Sequence, residues 1–452
     1  MAIQSNHSKA STKPNRSVIA SEERTMQSFT LLPKLRFKEF KGEWEVKRYG
    51  EIYSFYTTNS FSRDNLNYKK GEVKNIHYGD IHTKFSMLFD IDKEIVPFIN
   101  EEIDLSRIKN ENYCQEGDLV IADASEDYND VGKTIEIINL NNEKTLAGLH
   151  TFLARPNKYK MQKGFAGYLV QSWKVRKQIM TIAQGSKVLG IATGRLSKII
   201  LDIPKLPEQQ KIANFLTAVD TKLQQLTRKK TLLEVYKKGV MQQLFSQQLR
   251  FKPDASQLSL RGTKQSVTNE TQFPDWEEKK FGSVAKFING KAYKQIELLS
   301  SGKYRVLRVG NLFSNNEWYY SDLELDNDKY IEKGDLIYAW SASFGPRFWD
   351  EEKVIYHYHI WKVKPNKEVN KNFLYHVFMY DVDKIKLQSQ GGTMFHITKG
   401  NIESRIFKFP IVKEQQKIAN YLSALDAKIE LVHVQITKTQ GFKKGLLQGM
   451  FV

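Results

Sequence analysis

The fold of this chain is decided by the stretch Pro204-Lys-Leu-Pro-Glu208-Gln-Gln-Lys-Ile-Ala-Asn214, which returns as Pro410-Ile-Val-Lys-Glu414-Gln-Gln-Lys-Ile-Ala-Asn420. The second stretch begins 206 residues after the first, which is about half of the 452-residue chain. The correspondence continues without a gap to Phe245 and Phe451. We therefore predict that the chain contains one fold twice and offers two similar surfaces.

The first half of each copy repeats more loosely, through four anchors that keep their order while the spacing between them drifts. Such drift is expected where loops differ in length and the scaffold persists. The matched anchors are Trp44–Gly50 with Trp276–Gly282, Tyr78–Ile81 with Val309–Leu312, Glu116–Val120 with Lys333–Ile337, and His150–Pro156 with His359–Pro365.

The composition favours a polyanionic partner. Lys and Arg total 69 against 51 acidic residues, which gives a net charge of +18 and a pI near 9.4. Nucleic acid is the commonest partner for such a charge balance. Cys114 is the single cysteine, so an intramolecular disulfide and a Cys-based zinc site are excluded, in keeping with a reducing, cytoplasmic location. No run of about 18 apolar residues predicts a membrane span.

The polar segments divide the chain into six parts. Residues 1–30 lack a secretion-type apolar run and are predicted to be a disordered tail. A first module (31–203) and a first long helix (204–248) follow. The polar stretch 249–272 is predicted to be a linker. A second module (273–409) and a second long helix (410–452) complete the chain.

The long helices are predicted from apolar residues that recur every three or four positions from Glu208 to Phe245 and from Glu414 to Phe451. A helix of about 38 residues is roughly 55 to 60 Å long and needs an equally long partner. The economical partner is its own duplicate, in an antiparallel coiled coil with a pseudo-twofold axis. Two alternatives remain: each helix packs on its own module, or both bind another protein.

Both modules are predicted to be α/β or α+β units with a mixed sheet, whose strand order cannot be read. Short β-like runs occur at 118–122, 335–340 and 354–356, and helical stretches occur at 165–182 and 372–387. The pattern thus predicts two tandem modules, separated by two long helices.

The chain is predicted to be non-catalytic. It contains no phosphate-binding Gly-x4-Gly-Lys-Ser/Thr, no Gly-x-Ser-x-Gly, no His-Glu-x-x-His and no Asn/Asp-Pro-Pro-Tyr/Phe. His357 and His359 are close in sequence, but His359 aligns with His150 between apolar neighbours. We therefore predict structural histidines on buried or half-buried strands, and no metal site.

Polar and cationic side chains interleave with aromatic residues on irregular segments of both modules. Such side chains can reach base edges and phosphates from loops that vary independently of the scaffold. The candidate DNA-binding residues are Asn59, Ser60, Arg63, Lys74, His77, Asp80, His82, Lys84, Ser125 and Lys187 in the first module, and Lys291, Tyr293, Lys294, Arg308, Asn311, Ser341, Ser343, Arg347, Thr393, His396 and Lys399 in the second.

The helix openings, together with Leu35-Arg-Phe37…Trp44 and Leu249-Arg-Phe251…Trp276, resemble the specificity subunit of type I restriction-modification systems. The resemblance covers about residues 33 to 452. It implies two target-recognition domains, held apart by antiparallel helices, which each read one half of a bipartite double-stranded DNA sequence. A spacer of about 55 Å matches roughly one and a half turns of B-DNA.

The resemblance also implies the partners. Two modification subunits would dock on the chain, carry S-adenosylmethionine and flip the target adenine, and motor-nuclease subunits would use ATP and Mg²⁺. No cofactor is expected on this chain. The helix residues expected to meet partners are Glu208, Gln209, Gln210, Ile212, Phe215, Glu414, Gln415, Gln416, Ile418 and Tyr421. The alternative function is a scaffold whose two modules bind proteins rather than DNA.

Overall fold

A computed structural model describes residues 32–253, 273–341, 344–388 and 397–451. The predicted tail and most of the predicted linker lie outside these ranges. The chain divides into two compact units: unit 1 comprises Met1–Leu223 and Lys438–Val452, and unit 2 comprises Gln224–Thr437. Each unit therefore contains one module and a part of both long helices.

Unit 1 contains a mixed module with short strands. Its strands are β1 (Glu45–Arg48), β2 (Tyr53–Tyr56), β3 (Leu66–Asn67), β4 (Lys74–Ile76), β5 (Leu88–Asp90), β6 (Phe98–Ile99), β7 (Leu119–Ala122), β8 (Ala124–Ser125), β9 (Thr134–Asn139), β10 (Thr145–Ala147), β11 (Thr151–Pro156), β12 (Leu189–Gly190) and β13 (Ile200–Ile203). Its helices are α1 (Tyr49–Ile52), α2 (Tyr78–Thr83), α3 (Ala166–Gln171), α4 (Trp173–Ile182), α5 (Thr193–Leu196) and the start of α6 (Leu206–Phe245).

Unit 2 repeats the plan, with fewer strands among its described residues. Its strands are β14 (Glu277–Lys280), β15 (Ala285–Asn289), β16 (Tyr304–Leu307), β17 (Tyr319–Ser321), β18 (Tyr330–Ile331), β19 (Leu336–Ala339), β20 (Gly345–Phe348), β21 (Val354–Tyr356), β22 (Ile360–Pro365) and β23 (Ile406–Phe409). Its helices are α7 (Phe281–Val284), α8 (Val309–Phe313), α9 (Lys371–Gln388), α10 (Lys399–Ser404) and most of α11 (Val412–Gly449).

The sheets show the duplication in their strand order. The order β2-β11-β7-β9-β5 in unit 1 corresponds to β15-β22-β19-β20 in unit 2. A second sheet in each module contains one parallel pair, β4 with β10 and β16 with β21. The two modules are therefore copies of one mixed α/β fold, as predicted, and a long helix lies between them in the chain.

Within each unit the two long helices run antiparallel. In unit 1, Lys443 of α11 pairs with Asp220 of α6 at 2.7 Å, and Gly449 accepts the N–H of Leu35 beside the start of α6. In unit 2, Lys237 pairs with Asp426 at 2.5 Å. Asp220 and Asp426 are equivalent in the two copies, and so are Lys237 and Lys443. Each aspartate pairs with the lysine of the other copy, which explains why both residues are repeated.

Each long helix begins at a buried carboxylate held by an arginine and a tryptophan. Arg36 donates from Nε and Nη2 to Glu208, both at 2.7 Å, and Trp44 Nε1 donates to Glu208 at 3.3 Å. Arg250 and Trp276 hold Glu414 in the same way, at 3.1, 2.8 and 3.1 Å. A carboxylate in the first turn of a helix is also stabilised by the positive end of the helix dipole. These contacts account for the repeated Arg, Trp and Glu.

The glutamine after each carboxylate joins the helix start to its module. Gln209 accepts the N–H of Gln162 at 2.8 Å and donates to the carbonyl of Pro204 at 2.8 Å. Gln415 makes the matching bonds with Asn370 and Pro410, both at 2.8 Å. Gln162 and Asn370 are therefore equivalent positions in the two copies. Tyr168 and His376, each six residues farther along the chain, are equivalent as well.

Several predicted elements agree with the structure and two differ. The predicted strands at 118–122, 335–340 and 354–356 correspond to β7, β19 and β21. The predicted helix 165–182 is interrupted at Ser172, whose extended ψ of 146° separates α3 from α4. The strand placement of His150 was wrong: β11 begins one residue later, and His150 has a left-handed φ of 54° and a side chain that is 53% exposed. His359 also precedes its strand, half-buried against Trp340.

A buried carboxylate distinguishes the first module from the second. Glu136 is fully buried, and its two oxygens accept the N–H groups of Gly164 at 2.6 Å and Gly167 at 2.7 Å. Burial outweighs these hydrogen bonds and raises the pKa of Glu136 from 4.5 to about 7. Phe348 occupies the equivalent place in unit 2, since β19 pairs with it as β7 pairs with Glu136.

We expect Glu136→Gln to change how the stability of unit 1 depends on pH. The folded state holds the proton of Glu136 more tightly than the unfolded chain does, so this group's stabilisation is complete below pH 4.5 and is lost as the pH rises toward 7. The uncharged variant should lack that loss, which amounts to about 3 kcal/mol. Denaturant unfolding from pH 4.5 to 8 measures the difference between variant and wild type.

The pH dependence is the readout because the amide of glutamine accepts fewer hydrogen bonds at every pH. Glu278→Gln, at an exposed position on β14, provides the control and should leave the pH profile unchanged. A Glu136→Gln profile parallel to that of the wild type would contradict the raised pKa.

Candidate nucleic-acid interface

In each module the parallel strand pair of the second sheet, β4 with β10 or β16 with β21, ends at a polar corner. The carboxyl ends of β4 and β10 lead into His77 and Gly148, and those of β16 and β21 lead into Arg308 and His357. The carboxyl ends of adjacent parallel strands are a common place for ligand-binding side chains in α/β folds. We call this place the strand-end corner of each module.

The backbone of the two corners is the same. Gly148 donates its N–H to Ile76 at 2.9 Å, and His357 donates to Leu307 at 2.9 Å. A loop from the other sheet reaches each corner: Asn59 donates its N–H to Ala147 at 3.1 Å, and Lys291 donates to Tyr356 at 2.9 Å. The corners therefore differ in their side chains at equivalent positions. Asn59, His77 and Gly148 of module 1 are replaced by Lys291, Arg308 and His357 in module 2.

The corner of module 1 is built on a buried aspartate. Asp80 is fully buried and pairs with Arg63 at 2.7 Å and Lys84 at 2.9 Å, whose side chains remain 42% and 52% exposed. Burial acts to raise the pKa of Asp80, but these two cations hold it below its usual value. One carboxylate thus positions two cations that keep half of their surface in solvent.

Histidine and tyrosine rings lie at the same corner as this cation pair. His77 is buried, and its Nδ1 accepts the N–H of Gly79 at 3.1 Å; burial and the charge of Arg63 lower its pKa. The ring of Tyr78 lies 5.4 Å from that of His150, edge to face. His82 contacts the carbonyl of Ala124 at 3.0 Å.

The corner of module 2 is organised by Arg308. Its guanidinium lies 4.2 Å from the ring centre of Tyr319, and its backbone N–H donates to Asn311 Oδ1 at 3.1 Å. Its Nε is buried without a hydrogen-bond partner, and no carboxylate among the described residues pairs with its guanidinium. Burial, with the neighbouring His359 and Arg308, lowers the pKa of His357 to about 4, so this histidine is neutral.

A second cation is fixed at the rim of this corner. Lys291 pairs with Glu297 at 3.0 Å, and the same carboxylate accepts the N–H of Lys294 at 2.8 Å. Tyr293 stacks on His357 with ring centres 6.3 Å apart, and burial raises the pKa of its hydroxyl. Cations and π faces therefore alternate across this corner, a combination suited to phosphates and bases.

The structure brings only part of the predicted DNA-binding set to the corners. Those at or beside a corner are Asn59, Arg63, His77, Asp80, His82, Lys84, Lys291, Tyr293, Arg308 and Asn311. Asn59 is half-buried and bonded to Asn75, and Lys74 pairs with Glu143 at 2.6 Å, so both have structural contacts. The other described members of the predicted set are not among these corner residues. They are Ser60, Ser125, Lys187, Lys294, Ser341, Arg347 and Lys399. Ser343, Thr393 and His396 lie outside the described residues.

Sequence reasoning missed the aromatic supports. Tyr68 receives hydrogen bonds from Arg63 at 3.4 Å and Lys84 at 3.2 Å, and Tyr319 lies under Arg308. The run Trp318-Tyr-Tyr320 was a visible signal, because aromatic clusters beside cations often support them. For Tyr68 no comparable signal exists.

The predicted partner-binding residues separate into buried and exposed groups. Glu208, Gln209, Ile212, Glu414, Gln415 and Ile418 are all at most 2% exposed and hold each helix on its module. Burial therefore makes these six side chains inaccessible to a partner. Gln210, Phe215, Gln416 and Tyr421 retain accessible surface. Phe215 packs edge to face on Phe37, and Tyr421 on Phe251.

Neither a metal site nor a membrane-spanning helix occurs in the described part of the chain. It contains no group of three or more His, Cys, Asp or Glu side chains able to hold a metal ion. Among its helices, none combines the length and the apolar character needed to cross a membrane.

Comparison with known proteins identifies the family. A family model described as the type I restriction modification DNA specificity domain matches residues 41–235 and again residues 274–439. The chain belongs to this family. Type I specificity subunits are non-catalytic, and the two matches coincide with the two copies of the fold.

Two relatives agree with this assignment. The chain is 24% identical over 430 residues to the putative type I restriction enzyme MjaX specificity subunit of Methanocaldococcus jannaschii, covering 92% of this chain and 94% of that protein. It is 21% identical over 177 residues to the EcoBI specificity subunit of Escherichia coli, covering 39% of this chain and 37% of that protein.

The fold is similar to that of solved S subunits. The type I S subunit of M. genitalium aligns with a TM-score of 0.56 and 15% identity, over 93% of this chain and 99% of that one. A chain from a structural study of type I complex assembly and conformational transition aligns with a TM-score of 0.51 and 13% identity, over 89% and 96%.

Proposed function

We propose that this chain reads a bipartite double-stranded DNA target, with one half-site for each module. The observation that carries the proposal is the pair of strand-end corners, which share backbone hydrogen bonds and differ in side chains. A fixed scaffold with variable polar groups suits two unlike half-sites, because base edges are distinguished by the donors and acceptors presented to them.

The charges of the corners support the same function. Arg63, Lys84 and Arg308 keep part of their surface in solvent while aromatic rings or a buried carboxylate fix their positions. Preorganised cations lose little side-chain freedom on binding phosphate or guanine. The net charge of +18 adds a sequence-independent attraction to DNA.

The chain acts as the reading subunit of a larger complex in the cytoplasm. Two modification subunits dock on it, carry S-adenosylmethionine and methylate adenine, and motor-nuclease subunits with ATP and Mg²⁺ carry out restriction. These cofactors belong to the partners. In this arrangement the chain supplies sequence choice and no chemistry.

The proposal predicts salt-sensitive, sequence-selective binding. Purified with its modification subunits, the chain should bind the duplex that methylome sequencing identifies. Its affinity should fall about a thousandfold between about 50 and 200 mM salt, since neutralised phosphates release counterions. Fluorescence anisotropy over a salt series measures this slope.

Exchange of residues 275–408 for the matching module of a relative separates reading from scaffolding. We expect half of the methylated sequence to change and the other half to stay. A scaffold that binds only proteins predicts an unchanged methylated sequence. Binding without salt dependence or without sequence preference would also overturn the proposal.

A further inference from the structure

The residue after β7 and the residue after β19 are equivalent positions in the two copies. Asp123 donates its N–H to the carbonyl of His150 at 3.1 Å, and Trp340 donates its N–H to the carbonyl of His359 at the same distance. The carbonyl of each residue accepts the N–H of an isoleucine, at 2.9 Å in module 1 and at 3.2 Å in module 2. The two copies therefore hold the same backbone from both sides and differ in the side chain that it carries.

This position borders the strand-end corner in module 1. The ring of Tyr78 lies 5.4 Å from that of His150. His82 contacts the carbonyl of Ala124, the residue after Asp123, at 3.0 Å. Tyr78 and His82 both belong to α2, which starts at the corner. The loop that carries Asp123 is therefore next to the cations of that corner.

The carboxylate of Asp123 has too few donors for its burial. Its Oδ1 is buried without a hydrogen bond, and an ion pair with Nδ1 of His150 at 3.3 Å is its one side-chain contact among the described residues. Burial raises the pKa of Asp123, and His150 offsets only a part of this rise. The side chain is 24% exposed, so a ligand can reach it. A donor from outside the chain would satisfy this carboxylate.

A carboxylate at this place opposes the binding of a polyanion. Arg63 and Lys84 attract DNA phosphates, whereas Asp123 repels them. Asp80 has no such effect, because both of these cations pair with it. A group that weakens binding to every duplex is useful where one base compensates it, since specificity also arises from penalties against the wrong partner.

Cytosine is the base that suits a carboxylate best in the major groove. Its N4 amino group donates a hydrogen bond, whereas guanine and thymine present acceptor atoms to the same groove. Adenine has an N6 amino group too, but its neighbouring N7 is an acceptor that repels a carboxylate. Trp340 offers no acceptor, because an indole only donates, and its Nε1 donates to the carbonyl of Tyr358 at 2.9 Å. Module 2 therefore lacks this preference at the equivalent position.

We propose that Asp123 determines one base of the half-site of module 1, by accepting a hydrogen bond from the amino group of a cytosine. This inference rests on the proposed function. It adds a specificity-determining residue beside the cations of the corner. The difference between Asp123 and Trp340 then contributes to two unlike half-sites.

The test is Asp123→Asn, which keeps the size of the side chain and replaces one acceptor oxygen with a donor. Asparagine pairs with N6 and N7 of adenine. The full chain, purified with its modification subunits, is titrated by competition with duplexes that carry each of the four bases at every position of one half-site. This is the half-site that stays unchanged when residues 275–408 are exchanged.

We expect the wild type to prefer cytosine at one position of this half-site. At that position, the ratio of the affinity for cytosine to the affinity for adenine should fall about tenfold to a hundredfold in Asp123→Asn. The affinity for unrelated duplexes should rise, because one negative charge is lost. The ratio does not depend on how much of the variant is folded, since both duplexes compete for the same molecules.

Glu102→Gln is the matched control. Glu102 is exposed and follows β6, whose last residue, Ile99, bonds to Val73 just before the amino end of β4, away from the corner. This variant removes the same charge from the same module and should leave the ratio of cytosine to adenine unchanged.

An unchanged ratio at every position in Asp123→Asn would refute the role of Asp123. An equal gain in affinity for all duplexes would refute it as well, because the carboxylate would then only repel DNA. Failure of the proposed function looks different, since the wild-type complex itself would show no sequence preference. A wild type that selects bases, with a variant that selects them equally well, therefore refutes Asp123 alone.

Discussion

Glu208→Ala is expected to destabilise unit 1 by about 3 to 5 kcal/mol, the largest stability effect that we predict. Removing one member of a buried ion pair leaves the other charge desolvated and unpaired. Here the group left unpaired is the guanidinium of Arg36, whose side chain is 14% exposed, and Trp44 loses its acceptor as well. For a unit of this size, the melting temperature should fall by about 10 °C.

The neighbouring Gln210→Ala provides the control in the same helical turn. Its side chain is partly exposed and bonds only to Asn214 among the described residues, so we expect a change of less than about 0.5 kcal/mol. Differential scanning calorimetry of both variants measures the difference. Arg36, Trp44 and Glu208 together are called the clamp of unit 1. A decrease of only about 2 °C for Glu208→Ala would show that the clamp contributes little to the stability of that unit.

Glu414→Ala should have the same effect on unit 2, because the second clamp has the same geometry. Arg250 holds Glu414 and also donates to the carbonyls of Phe273 and Pro274. In the first copy Arg36 precedes Trp44 by eight residues, whereas Arg250 precedes Trp276 by 26. The same three side chains meet despite this difference, so the clamp is the point that the duplicated fold has kept.

The sequence predicted the parts of this molecule whose signals are local. Two long helices follow from apolar spacing, and the duplication follows from identical helix openings. The clamp could not be derived, because Arg36 and Glu208 are 172 residues apart and nothing local links them. Sequence alone therefore predicts a partner surface for this glutamate, whereas burial in both copies explains its identity.

The strand-end corners were equally inaccessible to sequence reasoning. Their parallel pairs join strands of three or four residues that are far apart in the chain, such as β4 at Lys74 and β10 at Thr145. Strands this short have no readable period. Candidate residues could be named from their chemistry, but the pairing of the strands decides which of them lie together. Arg63 forms an ion pair with Asp80 at the corner, whereas Lys74 forms one with Glu143.

Arg308→Ala is expected to remove the selectivity of module 2 for one half-site while leaving non-specific DNA binding nearly intact. A bidentate contact from arginine to guanine contributes about 1 to 3 kcal/mol of discrimination, so specific affinity should fall about tenfold to a hundredfold. Arg308 fits this role because Tyr319 supports its guanidinium and no described carboxylate occupies it. Competition binding measures the ratio of the affinity for the cognate duplex to the affinity for a duplex altered in one half-site.

The matched control is Lys408→Ala, at an exposed position on β23 in the same module. A residue that contacts only phosphate behaves differently from one that reads a base. Its loss weakens binding to all duplexes alike and reduces the slope of log affinity against log salt concentration by about one. The ratio of affinities for cognate and altered duplexes then stays the same. If Arg308→Ala behaves in that way, the arginine only contacts the backbone of DNA. If the ratio for the half-site of module 1 changes instead, the assignment of one half-site to each module fails, because Arg308 belongs to module 2 alone.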